Sequence, residues 1–453
     1  MKSSKKESYI VEKHQIKRSN PLWVELDTLS YRAKNLYNQA LYRIRQHYFT
    51  TGKYLTYNQV QKQLQDEKQV DYIALNTKLS QLVLKNLNQN FLSYFAAKED
   101  YKKTPSKYKA PPRLPKYIEK DGRSLVEFNI QTIGKKELKE GVLKLSGTSS
   151  CIKIQHEVVA LNKIRKGKQI KTLSLKSVKI VPCNDLYDVI IIHESPIKKE
   201  KLKEKDPNKC AALDLGVNNL ATVTTSIKGV NPFLINGRPL KSINAFYNKR
   251  LAELKSEKDL AKSKRRRKEI AKEFKKLSRK RNNKIDDYMH KASTMLVSQL
   301  DSLGVSTLVI GRNEDWKQEI NIGSRSNQNF CFIPHYGFIG KTQYKSERVM
   351  MDVRLNEESY TSKCSFLDME EICKHETYLG KRIKRGLFKS SEGLLINADV
   401  GGSGNILRKG VTGAFDHWSR AEVIQGFVVS PVCLTIDDLR NAEDLSRIRS
   451  CHK

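Results

Sequence analysis

From Leu22 to about Thr51 apolar residues recur at three- and four-residue spacing, through Leu22, Leu26, Leu29, Ala33, Leu36, Tyr37 and Ala40, and this pattern predicts an amphipathic helix. A second helical region runs from Asn58 through Ala97, with apolar faces marked by Val60, Leu64, Leu79, Leu82, Val83, Leu87, Phe91 and Phe95. Pro105, Pro111, Pro112 and Pro115, interleaved with Lys107, Lys109, Arg113 and Lys116, then form a stiff basic stretch. Proline fixes φ and lacks an N–H, so this stretch is a boundary or docking loop and not a helix. Between 125 and 200 the period changes. Leu125–Ile130, Val142–Leu145, Ile152–Ile154, Lys171–Val178 and Tyr187–His193 are short alternating or β-branched runs that predict a small β-barrel. After a linker at Pro196–Lys209, strands at Cys210–Leu215, Leu220–Thr225, Thr307–Ile310 and Met350–Asn356 alternate with helical patterns at about 241–303 and 334–347, so this half is α/β.

At 453 residues the chain exceeds what a single core usually spans and should divide into two or more domains. Lysine and arginine total 84 against 49 acids, a formal charge of +35, which calls for a polyanionic partner. No uninterrupted apolar run reaches the length of a membrane span and no apolar segment follows the charged start, so a membrane partner is not expected and nucleic acid is. The eight cysteines form no CxxC pair; they read as reduced thiols, and no structural zinc is expected.

The densest positive charge lies between Lys262 and Lys284, where 13 of 23 residues are Lys or Arg against Glu269 and Glu273. A solvated helix face is the commoner meaning of a charge run, but this density favours contact with a nucleic-acid backbone. Lys264, Arg265, Arg266, Arg267, Lys268, Lys275, Lys276, Arg279, Lys280 and Arg281 are the candidate contacts. Met289, Ala292, Leu296, Leu300 and Leu303 return the same helix to the core. Residues 411–453, with five basic and six acidic residues, read as a C-terminal tail without that role.

Two aspartates stand out. Asp214 sits in the apolar run Ala211–Gly216, where a bare carboxylate is costly unless paired or metal-bound; the plainer alternative is a strand-end Asp capping the Asn218–Asn219 turn. Asp399 follows Leu394–Ile396 and precedes Gly401, Gly402 and a helix, a position that also suits an N-cap. Phosphodiester cleavage by two metals needs several such carboxylates converging from distant sequence.

The order ALDLGVNNLATV (212–223), YMHKAS (288–293), TLVIGRNEDWKQE (307–319), NQNF and IPH (327–335), ESYTSK (358–363), GKRIKRGL (380–387) and INADVGGSGNILRK (396–409) resembles the TnpB family, transposon-encoded relatives of the compact type V CRISPR effectors. The resemblance covers about 207–409. It implies an α/β RNase H-like (RuvC) nuclease domain at 206–409, an N-terminal β-barrel wedge from 1–20 and 116–205, and a helical recognition insert at 21–115, with 410–453 as the tail.

The resemblance also implies an RNA-guided DNA endonuclease with Asp214 and Asp399 as the first and last metal-binding aspartates. Its middle Glu falls on Gly311, so direct transfer fails there. Glu358 is favoured as a relocated replacement, because ESYTSK resembles a subgroup with such an acid; Glu357 and Glu314 are the alternatives. The expected cofactors are Mg2+, two ions, and a guide RNA, and the expected partner is target DNA with a short adjacent motif read by the N-terminal half. In place of the family's zinc ribbon, residues 364–392 hold Cys364, Cys373 and His375 without paired spacing. This insert is expected to bind phosphate through Lys374, Lys381, Arg382, Lys384 and Arg385. Tyr31, Tyr37, Tyr42 and Tyr48 are candidate base-stacking residues, although helical aromatics more often serve the core. A prokaryotic cytoplasmic, nucleoid-associated setting follows from the resemblance. A nuclease-inactive RNA-guided repressor and a compact CRISPR effector remain as alternatives.

Overall fold

The computed structural model describes residues 9–154, 174–183, 185–194, 205–312 and 332–437. The chain forms two compact units, Met1–Ile197 and Lys198–Lys453.

In the first unit the helix predicted from Leu22 is α1 (Leu22–Thr51), which ends where Gly52 adopts a left-handed φ of 70°. The second helical region is three helices: α2 (Tyr57–Asp66), α3 (Val70–Ile73) and α4 (Thr77–Lys103). Asn76 caps α4 by accepting from Lys78 N, which is why a new helix starts there despite continuous apolar periodicity. Strands β1 (Tyr9–Ile16), β2 (Val126–Asn129), β5 (Ser174–Cys183) and β6 (Leu186–Glu194) make an antiparallel sheet in the order β1-β6-β5-β2. A ribbon of β3 (Val142–Lys144) and β4 (Cys151–Lys153) follows the short α5 (Lys135–Lys139) and is tied to the rest by an Ile133–Leu145 bridge and by the buried Leu143 and Ile152. The described strands therefore pair as an open sheet of four and a ribbon of two. One apolar core joins α1, α2 and α4 to this sheet.

The second unit is built on a six-stranded sheet. Strands β7 (Cys210–Leu215), β8 (Asn219–Thr225) and β9 (Phe233–Asn236) form an antiparallel meander, while β10 (Thr307–Gly311) and then β11 (Asp352–Asn356) add in parallel beside β7. This strand order is RNase H-like. The expected single helical stretch after β9 is a hairpin of α6 (Arg238–Leu260) and α7 (Lys264–Ser302), broken where the Ser263 side chain accepts from Arg266 N. The distal half of α7 and α8 (His335–Arg348) cover one face of the sheet. Across the other face lie a hairpin of β12 (Lys381–Lys384) and β13 (Leu387–Lys389), which β14 (Leu395–Asn397) extends, and then α9 (Ala398–Gly410).

Residues 410–437 correct the reading of a separate tail. Helix α10 (Arg420–Phe427) buries Val423 and Phe427, and β15 (Val432–Leu434) pairs with β9 as the sixth strand. Phe366, Phe415 and Phe427 meet edge to face, with ring centroids 4.7 Å to 5.6 Å apart. A weak charge signal hid a core segment. Among the described residues no helix is long and apolar enough to cross a membrane.

Candidate active site

Alternate residues of a strand face opposite sides, so the two cores report where each side chain points. On β7, Ala211, Leu213 and Leu215 join the core under α7, whereas Cys210 and Ala212 join the core under α9. Asp214 therefore belongs to the α9 side. On β10, Leu308 and Ile310 take the α7 side and Val309 the α9 side, so Gly311 shares Asp214's face. Register agrees: Ile310 pairs with Leu213, and Gly311 is one step beyond on the same parallel ladder.

Glu358 fills the space that Gly311 leaves. A Cβ built at residue 311 would stand 2.7 Å from Glu358 Oε2 and 2.5 Å from Ile406 Cδ1. Gly311 pairs across to Asn356 of β11, and Glu358 comes two residues after that pair. Its carbonyl accepts from the Thr361 hydroxyl at 2.8 Å. Glu357 is exposed and turns elsewhere, accepting from Lys409 Nζ at 2.6 Å. Glu314 and the NQNF segment lie outside the described residues.

Asp399 is not a helix cap. Asn397 caps α9, its side chain accepting from Asp399 N at 3.0 Å and Val400 N at 3.2 Å. The Asp399 carboxylate instead accepts from Asn219 Nδ2 at 2.9 Å and lies 3.6 Å from Arg382 Nη2. α9 is continuous, Gly401 and Gly402 are buried, and a Cβ at 402 would come within 3.1 Å of Asp214 Oδ2. Gly402 lets the helix approach Asp214, and Ser403 Oγ ties the helix to the same strand by donating to Ala212 O at 3.1 Å.

The electrostatics join the three acids. Burial, followed by the charges of Glu358 and Asp399, pushes the Asp214 carboxyl well above the ordinary carboxylate range. Burial and then the neighbouring Glu357 raise Glu358 to about 7, with Lys409 opposing. Among the described residues no three ligating side chains stand at coordination spacing, so a bound cation would have to draw these carboxylates together. In donor type they suit a hard divalent ion: all oxygen, and mutually repelling until neutralised.

A cleft of about 770 Å³ opens onto Asp214 and Asp399. Arg382 and Arg385 of the expected phosphate-binding insert line it, and so do Arg238 and Lys241 at the start of α6, which the sequence reading missed. Lys241 Nζ donates to Asn218 Oδ1 at 2.7 Å, and His335 Nε2 lies 2.9 Å from Gly216 O, so the β7–β8 turn is braced from two helices. Asn219 was also missed as a partner of Asp399, though it stands within the quoted ALDLGVNNLATV run.

The basic helix divides. Lys264, Arg265, Arg266, Arg267, Lys268, Lys275, Lys276 and Lys280 are exposed, and Arg279 is half-buried. Arg265 and Arg266 pair with Glu269, and Arg266 also meets Glu257 of α6. Arg281 departs from the expectation of a nucleic-acid contact. It donates to Asn244 Oδ1 and Phe332 O at 2.8 Å each and lies over the rings of Tyr247 and Phe332. In the first unit Tyr31 and Tyr42 are exposed, whereas Tyr37 packs on the core and Tyr48 on Phe49 and Phe95. Cys364 is buried with its thiol toward Cys373 O, and Cys373 lies 3.4 Å from His375 Nε2.

The pattern of a family described as a probable transposase, OrfB_IS605, matches residues 193–317. A TnpB-like protein, ORF457 of Acidianus two-tailed virus, is 26% identical over 220 residues, which is 47% of this chain and 44% of the relative. In sequence the chain is thus similar to TnpB-type proteins. The match spans less than half the length of that viral relative. Among solved structures, the chain is similar to a Cas12f1–sgRNA–target DNA complex, with 14% identity over 89% of this chain and 100% of that one at a TM-score of 0.34. A mini-RNA-guided endonuclease, CRISPR-Cas phi3, shows 11% identity over 90% and 93% at a TM-score of 0.46.

Proposed function

We propose that this chain is an RNA-guided DNA endonuclease encoded by a transposon, with Asp214, Glu358 and Asp399 holding divalent metal. The observation that carries the reading is Glu358 Oε2 standing where a side chain of residue 311 would begin, on the face of the sheet that holds Asp214. A missing middle acid is thereby replaced from the loop that follows the next strand. Mg2+, as two ions, would activate a water and stabilise charge on the phosphate. Asp214, whose carboxyl is pushed up by burial and the charges of Glu358 and Asp399, and Glu358, raised to about 7 by burial and Glu357, would give up protons to hold it. Asn219 orients Asp399 through its hydrogen bond, and Arg238, Lys241, Arg382 and Arg385 counter the charge of a strand in the cleft.

The remaining roles belong to the same proposal. Residues 1–20 with 116–205 act as the wedge and 21–115 as recognition helices that read a motif beside the target. Lys275, Lys276 and Lys280 meet phosphate from the exposed side of α7. The formal charge of +35 supports a guide RNA as constant partner. The spread of the three carboxylates beyond coordination spacing favours a second reading, a binding-only repressor. Purified protein should carry one dominant structured RNA and, with Mg2+ but not with chelator, cut a plasmid matching that RNA. RNA-dependent target binding with no cutting under any guide would install the repressor. Full cutting by RNA-free protein would end the guided reading.

A further inference from the structure

A middle acid on β10 would be fixed by the sheet, since β10 is bonded to β7 on one side and β11 on the other. Glu358 lies past the end of β11 and lacks that support. Its neighbours are fastened to α9 instead. Lys409 Nζ donates to Glu357 Oε2 at 2.6 Å and to Ser359 O at 3.3 Å, gripping the residues on both sides of Glu358. One turn earlier, Asn405 Nδ2 donates to Thr361 O at 3.0 Å and Cys364 O at 2.8 Å. The same helix carries Asp399 in its first turn, so one rigid element sets two acids.

We propose that Lys409 is a positioning residue for Glu358, the device that makes a loop-borne acid as well placed as a strand-borne one. This rests on the reading of Glu358 as a metal ligand. The Lys409–Glu357 pair has side chains 26% and 55% exposed, so it contributes little to stability and its effect falls on placement. Charge and placement act in opposite directions here. A cation beside the site repels a divalent ion, so removing only its charge tightens metal binding, whereas removing its grip weakens it.

The test uses the full-length ribonucleoprotein and two readouts: guided cleavage against Mg2+ concentration, and backbone scission around the site by Fe2+ with ascorbate, mapped by mass spectrometry. Lys409→Met should raise the half-saturating concentration of both ions about tenfold, in line with the loss of an outer partner of a metal ligand. Target binding and melting temperature should hold, and Lys409→Arg should restore both readouts. Glu357→Ala, which releases the grip from the other end, should shift them the same way by less and serves if Lys409→Met does not fold. Unchanged or lower half-saturation in these variants, with Glu358→Ala inactive, overturns the positioning role and leaves the ligand reading intact. Full cleavage and scission by Glu358→Ala overturns both.

Discussion

Asp214 and Glu358 serve one space from supports of different kinds. Asp214 is a rung of the sheet, paired with Thr222 of β8 and one step from the Ile310–Leu213 rung of β10, so its direction follows from strand parity. Glu358 stands in a loop and reaches in only because residue 311 has no side chain. A site residue on a strand is set by backbone hydrogen bonds that any sequence makes, whereas one on a loop depends on particular neighbours. The largest expected effect treats the two alike. Asp214→Ala, Asp399→Ala and Glu358→Ala should each cut guided cleavage by about a thousandfold or more without loss of target binding, and their combination should cost little beyond the worst single change. Additive losses would mean that the three do not form one centre.

Residue 311 offers a sharper test because the expected sign depends on background. In the wild-type chain Gly311→Glu should lower cleavage about a hundredfold, since the new Cβ displaces the Glu358 carboxylate and an error near 1 Å at a reacting centre costs that much. With Glu358→Ala the obstruction is gone, and the same Gly311→Glu should raise cleavage above the inactive parent by supplying an acid from the strand. Gly311→Ala should act as a weak form of the first change. The atoms it meets are the ends of two side chains, Ile406 and Glu358, so the melting temperature should move little while cleavage falls. Equal effects of Gly311→Glu in both backgrounds would break the link between the two positions.

Acidity gives a smaller effect with a definite direction. Burial and Glu357 raise the Glu358 pKa from 4.5 to about 7, and Asp214 shifts the same way through burial, Glu358 and Asp399. The folded chain then binds more protons than the unfolded one, so this contribution favours the fold at acid pH and is lost as pH rises through about 7. Divalent metal would compete with protons for the same carboxylates. The rise in melting temperature produced by Mg2+ should therefore be greater at about pH 8 than at about pH 5.5, with protons released on binding. Calorimetry in buffers of different ionisation enthalpy reads that release, and none would contradict the shifts.

Much of the second unit was legible because its strands carry strong local signals. The apolar run 210–215 and the β-branched 307–310 are buried strands that sequence alone can recognise, and Asp214 is conspicuous inside one. Pairing was less legible. Val432–Leu434 is three residues long and joins the sheet because β9 leaves an edge to cover, a fact of tertiary structure. Arg281 looks like its basic neighbours, yet one helical face turns it toward Tyr247 and Phe332. The partnership of Gly311 with Glu358 was suggested by the pattern ESYTSK, while its cause, a Cβ that would collide, exists only in three dimensions.

Glu357 yields the smallest expected change and separates the two adjacent acids. Successive residues in extended chain point to opposite sides, and Glu357 is turned to solvent and Lys409 while Glu358 is half-buried beside Gly311. If Glu358 is the ligand, removing the Glu357 carboxylate takes none from the metal. It frees Lys409 from one of two contacts, the other being to Ser359 O, so the loop is loosened and not released. It also removes the charge that helps raise the Glu358 pKa, which should then fall slightly. Glu357→Ala is therefore expected to cut within about threefold of wild type at saturating Mg2+, against a loss of about a thousandfold for Glu358→Ala, the mark of a group outside the coordinating set. Side-by-side rates on one guided plasmid decide it: a loss in Glu357→Ala as deep as that of Glu358→Ala, with target binding intact, would transfer the ligand role to the exposed neighbour.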